Sequence, residues 1–219
     1  MPFELGRPLG VPDDAAWQTR VLRDVLELLE TPNGPAVLVD FPDDAPISSE
    51  AQAVLACPVS FPAPVTDLSD TERLRDTLNQ EIQELRSWYD MAVTKSGRTT
   101  VGVGGLDPEA IGKFVGAFLG GDIPASPQED MPVLDLFKLA VEDLKAYYFE
   151  AVAAQPGQST ASSSKLANWL WRETTAGKVL FKLQEQWKDS DDNNIKLFSS
   201  LLLVPRAYQA DSPYAVATA

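Results

Sequence analysis

Apolar residues recur at helical spacing in six separate stretches of this 219-residue chain. The clearest stretch follows Ser69, which we expect to be an N-cap, with Glu72 three residues later completing a capping box. Its apolar face is formed by Leu74, Leu78, Ile82, Leu85, Tyr89 and Ala92. The stretches do not alternate with strands, and no repeat of fixed period is visible. The sequence therefore predicts a mainly α fold, a single globular domain of about six helices.

The N-terminal helix is expected to start at Asp13 or Asp14, because aspartate caps a helix and its negative charge is favourable at the N-terminal end. It is expected to end before Pro32, which precedes Asn33 and Gly34. Its apolar residues recur at helical spacing and are Trp17, Val21, Val25, Leu28 and Leu29. This pattern predicts an amphipathic N-terminal helix.

Four further helices complete the prediction. One begins with Asp107 as its N-cap and Pro108 at its first position, and it stops at the pair Gly120 and Gly121. The next covers 133–154 and carries a wide apolar arc, which indicates packing on more than one side. The last two are expected over 165–187 and through the apolar run that Pro205 stops.

Residues 34–66 hold closely spaced prolines that exclude a long helix. Two short apolar runs remain there, 36–41 and 57–61, and each is compatible with a strand or with an extended segment on a helical core. The prediction is thus a Pro-rich extended segment with at most a small β element. The helical domain is expected over 1–208, and 209–219 is expected to be a disordered tail.

The charge of the chain argues against two classes of partner. It has 18 Lys and Arg against 32 Asp and Glu, a net charge of -14. Nucleic acids and anionic membrane surfaces are disfavoured, because both are bound through clustered basic residues. No run approaches the length of a membrane span, and no secretory signal is visible, so we expect a soluble, acidic, cytoplasmic protein.

Missing residue types exclude much of enzyme chemistry. The chain has no histidine, which removes histidine-activated nucleophiles and histidine-ligated metals. The single cysteine, Cys57, forbids a disulfide within the chain, and without a histidine nearby we expect it to be buried and inert. Carboxylate, Lys, Arg, Tyr, Ser and Thr chemistry remains. We expect no metal and no cofactor.

The glycine-rich segment before Asp107 is the candidate ligand site. Free amides of a glycine loop, hydroxyls and a guanidinium could together bind a phosphate or carboxylate. The candidate ligand-binding residues are Arg98, Thr99, Thr100, Gly102, Gly104 and Gly105. The alternative is a tight turn in which Asp107 itself takes the amides at the helix start. The segment matches neither common nucleotide-binding glycine motif.

Two groups of acidic residues are candidate cation sites. The segment 189–194 resembles the start of a calcium loop, but Asn194 and Ser200 stand where glycine and glutamate are required, so a helix-capping turn is expected. The helix over 133–154 carries three carboxylates near one face, Asp135, Glu142 and Glu150. Lys138 and Lys145 lie beside them, which is typical of a solvated face.

Trp169 and Trp171 lie two residues apart and therefore point to different faces of a helix. One belongs to the core, and the other needs a second surface, either intramolecular packing or an interface with a partner. The first functional hypothesis is a helical interaction, assembly or regulatory protein, with a protein partner or a homo-oligomer. The alternative is a small-molecule enzyme or sensor that binds an anion at 98–105. The two hypotheses leave open whether the protein is an enzyme.

Overall fold

The computed structural model describes residues 9, 14–30, 34, 39–42, 70–155 and 163–214. The chain divides into two compact units, Met1–Val54 and Leu55–Ala219. The described residues are mainly helical and include no strand, which confirms the predicted fold class. The predicted boundary between a domain and a disordered tail at 208 stays a prediction, since 215–219 lie outside the described residues.

The first unit contains α1, Ala15–Glu27, followed by a 3-10 turn, Leu28–Glu30. Asp14 is its N-cap, as predicted, and the Asp14 carboxylate accepts a hydrogen bond from the Trp17 amide at 3.0 Å. The Trp17 ring meets the ring of Phe41 edge to face at 5.7 Å. Val21 is the one fully buried residue that α1 contributes among the residues described.

The second unit contains the other helices. In chain order they are α2 Thr71–Ser96, α3 Pro108–Ala117, α4 Val133–Ala153, α5 Ser163–Glu173, α6 Thr175–Trp187 and α7 Asn193–Phe198. A π-helical turn, Ser199–Leu203, and a 3-10 helix, Arg206–Asp211, follow α7. In the part of the chain that the structure describes, no helix is both long and apolar enough to cross a membrane.

The core of the second unit lies where α2, α3 and α4 pack against one another, with α6 against α2. The predicted apolar face of α2 is buried there through Leu74, Leu78, Ile82, Leu85 and Tyr89. The Tyr147 hydroxyl of α4 donates to the Ile82 carbonyl at 2.5 Å and joins the two long helices. The core also contains a cluster of aromatic rings, in which Phe137 touches both Phe118 and Trp187.

Two predicted helix boundaries are wrong. The N-cap of α2 is Asp70, whose carboxylate accepts from the Arg73 amide at 2.9 Å; Ser69 lies outside the described residues. The helix predicted over 165–187 is two helices, because Thr174 caps α6. Its hydroxyl donates to the Leu170 carbonyl at 2.7 Å and accepts from the Gly177 amide at 3.1 Å.

Gly177 shows why the break between α5 and α6 needs a glycine. A Cβ at this position would lie 2.3 Å from the Leu170 carbonyl oxygen, a distance that packed atoms do not adopt. The two helices therefore approach through bare backbone. Of the apolar runs considered as strands, 57–61 lies outside the described residues, and the described part of the other, 39–41, is not a strand.

Candidate functional site

The predicted ligand loop connects α2 to α3, and three of its glycines have left-handed backbone. Gly97 ends α2 at φ 69°, and its amide donates to the Val93 carbonyl at 2.8 Å. Gly102 and Gly105 have φ 107° and 69°. Other residues adopt these angles only with strain, so glycine at 102 and 105 is explained by the turn itself.

The first part of the loop binds a carboxylate of α4. The Thr99 hydroxyl donates to one Glu150 oxygen at 2.8 Å. The Thr100 amide and hydroxyl donate to the other oxygen at 2.8 and 2.7 Å. The Thr99 oxygen also hydrogen-bonds the Tyr89 hydroxyl at 3.0 Å. Glu150 thus occupies the three donors that sequence reasoning assigned to an external anion.

The second part of the loop binds a second carboxylate of the same helix. Asp143 is only 1% exposed. It accepts from the Val103 and Gly104 amides at 3.2 and 2.8 Å. A Cβ at Gly104 would lie 3.3 Å from the same carboxylate, so the approach is close. On the other side of the loop, Gln128 donates to the Gly104 carbonyl at 2.7 Å.

The geometry of the loop is therefore that of the tight-turn alternative. Asp107 caps α3, as predicted, and accepts from the Ala110 amide at 2.8 Å. Buried amides must find acceptors, and here carboxylates of the chain supply them. The loop does bind anions through its amides and hydroxyls, but these anions are Asp143 and Glu150.

A cleft of about 410 Å³ lies beside this loop, at the C-terminal ends of α2 and α4. It is lined by Ala92, Lys95, Ser96, Arg98, Thr99, Thr100, Glu150, Ala153 and Ala154. The structure thus brings three of the predicted ligand-binding residues to one cleft, and leaves Gly102, Gly104 and Gly105 off its lining.

Two cations of the cleft have no partner among the described residues. Lys95 and Arg98 are exposed, and neither side chain forms an ion pair or hydrogen bond with a residue that the structure describes. Asp90, a carboxylate near the loop in sequence, binds Arg86 at 2.9 Å instead. Arg86 also donates to both oxygens of Glu109 at 2.9 and 3.1 Å. Arg98 is therefore free for a ligand in a way that Arg86 is not.

Both tryptophans of the predicted interface are buried. Trp169 is 2% and Trp171 is 4% exposed. Trp169 packs against the Tyr148 ring at 6.0 Å, and Trp171 stacks on Tyr208 at 5.9 Å. The second surface that Trp171 needs is thus the 3-10 helix at 206–211, which corresponds to the intramolecular alternative. Neither indole is exposed to a partner.

The acidic side chains considered as cation sites are either exposed or bound to groups of the chain itself. Among residues 70–155 and 163–214, no three acidic or cysteine side chains converge. Lys145 binds Glu142 at 2.7 Å and also donates to the Leu202 carbonyl at 3.2 Å. Asp192 caps α7, as expected for a capping turn. The prediction of a solvated face holds for the exposed Asp135 and Glu142. Cys57 lies outside the described residues.

Sequence reasoning missed Glu81, the buried carboxylate of α2. It is 3% exposed and accepts from the Thr175 amide at 2.7 and 2.9 Å and from the Tyr148 hydroxyl at 3.0 Å. Burial raises the pKa of Glu81 above its ordinary 4.5, although these donors oppose the shift. The signal was its position, seven residues after Leu74 and four before Leu85, on the apolar face.

The second missed feature is the exposed apolar face of α1. Leu22, Val25 and Leu26 lie on one side of α1, and Leu29 continues this i, i+3, i+4, i+7 spacing into the 3-10 turn that follows. All four are exposed, and Leu29 is 80% exposed. We call these four side chains the α1 stripe. The sequence prediction gave α1 an apolar face, but only Val21 of that face is buried.

Comparison with family models, curated proteins and solved structures gives no match for this chain.

Proposed function

We propose that this chain is a helical interaction protein that acts as an assembly or regulatory partner of another protein. The observation that carries the proposal is the α1 stripe, in which three exposed aliphatic side chains of a capped helix are followed by Leu29 in the adjoining 3-10 turn. Contiguous exposed apolar surface is typical of interaction sites. Helices that bind in a groove or against a helix of another protein commonly do so through apolar side chains at positions i, i+3, i+4 and i+7.

The charge of the chain favours one kind of partner. Residues 1–54 contain three basic and ten acidic residues, a net charge of -7. A second copy would bring the same negative charge to the interface, which opposes association. An amphipathic helix with Lys or Arg beside its apolar stripe complements both the shape and the charge. We therefore propose a basic, helical segment of a partner protein as the occupant. A cytoplasmic location is part of the proposal and fits a chain with a single cysteine.

The test uses a synthetic amphipathic helical peptide of leucine and lysine, labelled for fluorescence anisotropy, and a leucine and glutamate peptide as its counterpart. We expect the basic peptide to bind the full chain and the acidic peptide to bind at least about tenfold more weakly. Leu26→Asp and Leu29→Asp should each abolish binding of the basic peptide. Leu201→Asp, which changes an exposed leucine in the second unit, is the matched control and should leave binding unchanged.

Two results would contradict this proposal. Equal loss of binding in Leu26→Asp and Leu201→Asp would show that the peptide does not use the α1 stripe. A dimer seen by light scattering that dissociates in Leu26→Asp would make the occupant a second copy rather than a basic partner.

A second candidate function rests on the cleft beside the loop. It contains Arg98, Thr99 and Thr100 together with Lys95, whose side chain has no partner among the described residues, and we propose that a small charged molecule binds there in a sensor or an enzyme. Phosphate and sulfate should raise the melting temperature above that in chloride of equal ionic strength, because a ligand of the native state stabilises it. Arg98→Ala should remove this difference, and Lys113→Ala, an exposed lysine of α3, should keep it.

A further inference from the structure

We infer that the cleft binds a small zwitterion, with the ammonium group of the ligand at Glu150 and its anionic group at Lys95 and Arg98. This inference rests on the second candidate function and specifies its ligand class. It follows from the distribution of charge and of free hydrogen-bonding capacity among the residues that line the cleft.

The Glu150 side of the cleft favours a cation. The Thr99 hydroxyl and the Thr100 amide and hydroxyl already direct their hydrogens at Glu150. An anion placed there would meet a carboxylate and no free donor from these groups. One Glu150 oxygen accepts two of these bonds and the other accepts one, so the second oxygen can accept another hydrogen bond.

The helix ends add to this negative side. The cleft lies at the C-terminal ends of α2 and α4, where Ser96 and Ala153 are the last helical residues. Each helix C-terminus carries a partial charge of about -0.5. Glu150 lies in the last turn of α4, so an ammonium group beside it interacts favourably with the carboxylate and with this helix end.

The opposite charge comes from Lys95 and Arg98, which line the same cleft and are exposed. An isolated cation as ligand would leave both of them without a counterion. An isolated anion would satisfy them and leave Glu150 unmatched. A molecule with one positive and one negative group satisfies both sides at once, which neither simple ion does.

Apart from Ser96, the remaining lining is small and apolar. Ala92, Ala153 and Ala154 contribute methyl groups to the lining and suit a short aliphatic spacer. The volume of about 410 Å³ lies within the range of small-molecule sites. The ligand class is thus an ω-amino acid or a similar aliphatic zwitterion.

The experiment titrates the full chain with glycine, 4-aminobutanoate and 6-aminohexanoate, using amide chemical shifts as the readout. Butanoate and butylamine are the matched single-charge probes, and all titrations have equal ionic strength. We expect one of the zwitterions to shift the Thr99 and Thr100 amides, with a dissociation constant at least about tenfold below those of both single-charge probes. Arg98→Ala and Glu150→Gln should each weaken it by a similar factor, and Lys113→Ala should not.

The outcomes separate the inference from the function on which it rests. If butanoate binds as well as the zwitterions and Glu150→Gln has no effect, the cleft is an anion site and the inferred zwitterion is wrong. If butylamine matches the zwitterions and Arg98→Ala has no effect, the cleft is a cation site and the zwitterion is again wrong. If no probe shifts these amides, both the inference and the second candidate function are overturned. Glu150→Gln retains an acceptor for Thr100, and its folding is checked by the unchanged shifts of α3.

Discussion

Removal of the Glu81 carboxylate tests how the second unit is held together. Glu81 lies on α2, and its oxygens accept from the first amides of α6 and from the Tyr148 hydroxyl of α4. This side chain therefore connects three helices at a buried point. Glu81→Ala leaves the Thr175 and Ala176 amides and the Tyr148 hydroxyl without their acceptor.

The loss of stability in Glu81→Ala can be worked out from these three donors. Each buried donor without an acceptor costs about 1–3 kcal/mol, and removal of the buried charge offsets part of the sum. We expect Glu81→Ala to lower the free energy of unfolding by about 3–5 kcal/mol, because three buried neutral donors lose their acceptor. Glu81→Gln keeps one carbonyl acceptor and the volume, and should cost about 1–2 kcal/mol.

The pH dependence provides an independent check. Because the pKa of Glu81 is raised in the folded protein, the folded state binds the proton more tightly than the unfolded state does. The contribution of Glu81 is then fully present below the unfolded value of about 4.5 and falls as pH rises through the folded pKa. A glutamine side chain cannot titrate, so the stability difference between wild type and Glu81→Gln should be larger at pH 4.5 than at pH 8.

Urea denaturation followed by tryptophan fluorescence measures both effects. At a slope of about 2 kcal/mol per molar urea, Glu81→Ala should lower the midpoint by about 1.5–2.5 M. Asp76→Asn is the matched control, an exposed acid of the same helix that should change stability by less than about 0.5 kcal/mol. Similar midpoints for Glu81→Ala and Asp76→Asn, or a difference for Glu81→Gln that grows toward pH 8, would refute the reasoning.

Three other contacts lead to predictions of their own. Gly177→Ala should destabilise the protein by several kcal/mol in urea, since its Cβ would overlap a carbonyl, whereas Gly120→Ala, with open space around it, should be neutral within about 0.5 kcal/mol. Asp143→Ala should cost about 2–4 kcal/mol and speed hydrogen exchange of the Gly104 amide, while an unchanged exchange rate would show that the bond is unimportant. Burial raises the pKa of Tyr214 to about 12, so Tyr214→Phe should remove absorbance that develops at 295 nm only near pH 12.

The helices were predictable where local chemistry determines them. Asp14 and Asp107 cap the helices that they were expected to cap, and the α2 face from Leu74 to Tyr89 is the buried face. The break at Thr174 was not predictable from periodicity, because the apolar pattern continues on both sides of it. Only the approach of Gly177 to the preceding helix, a contact in three dimensions, shows that the chain turns there.

The position of the candidate site in the chain was predictable, but the carboxylates that other helices bring to it were not. The loop at 98–105 lies beside a cleft, and the Arg98 side chain has no partner in the part of the chain that the structure describes. The partners of the loop amides, however, come from α4, about 40 to 50 residues away in sequence. Spacing within the loop cannot show such partners. The same limit applies to Glu81, whose carboxylate accepts from an amide that lies 94 residues further along the chain.

The three buried or half-buried carboxylates have one role in common, which explains why a glycine loop is ambiguous in an acidic chain. Amides at loops and helix starts need acceptors, and Glu81, Asp143 and Glu150 supply them from neighbouring helices. An anion-binding pattern in such a sequence therefore predicts that an anion is bound. It does not show whether that anion is a ligand or a carboxylate side chain of the protein itself. What distinguishes the two is the balance of cations nearby. Asp143 and Glu150 accept hydrogen bonds from the loop, while Lys95 and Arg98 have no partner among residues that the structure describes, so a ligand is expected at the cations and not at the glycines.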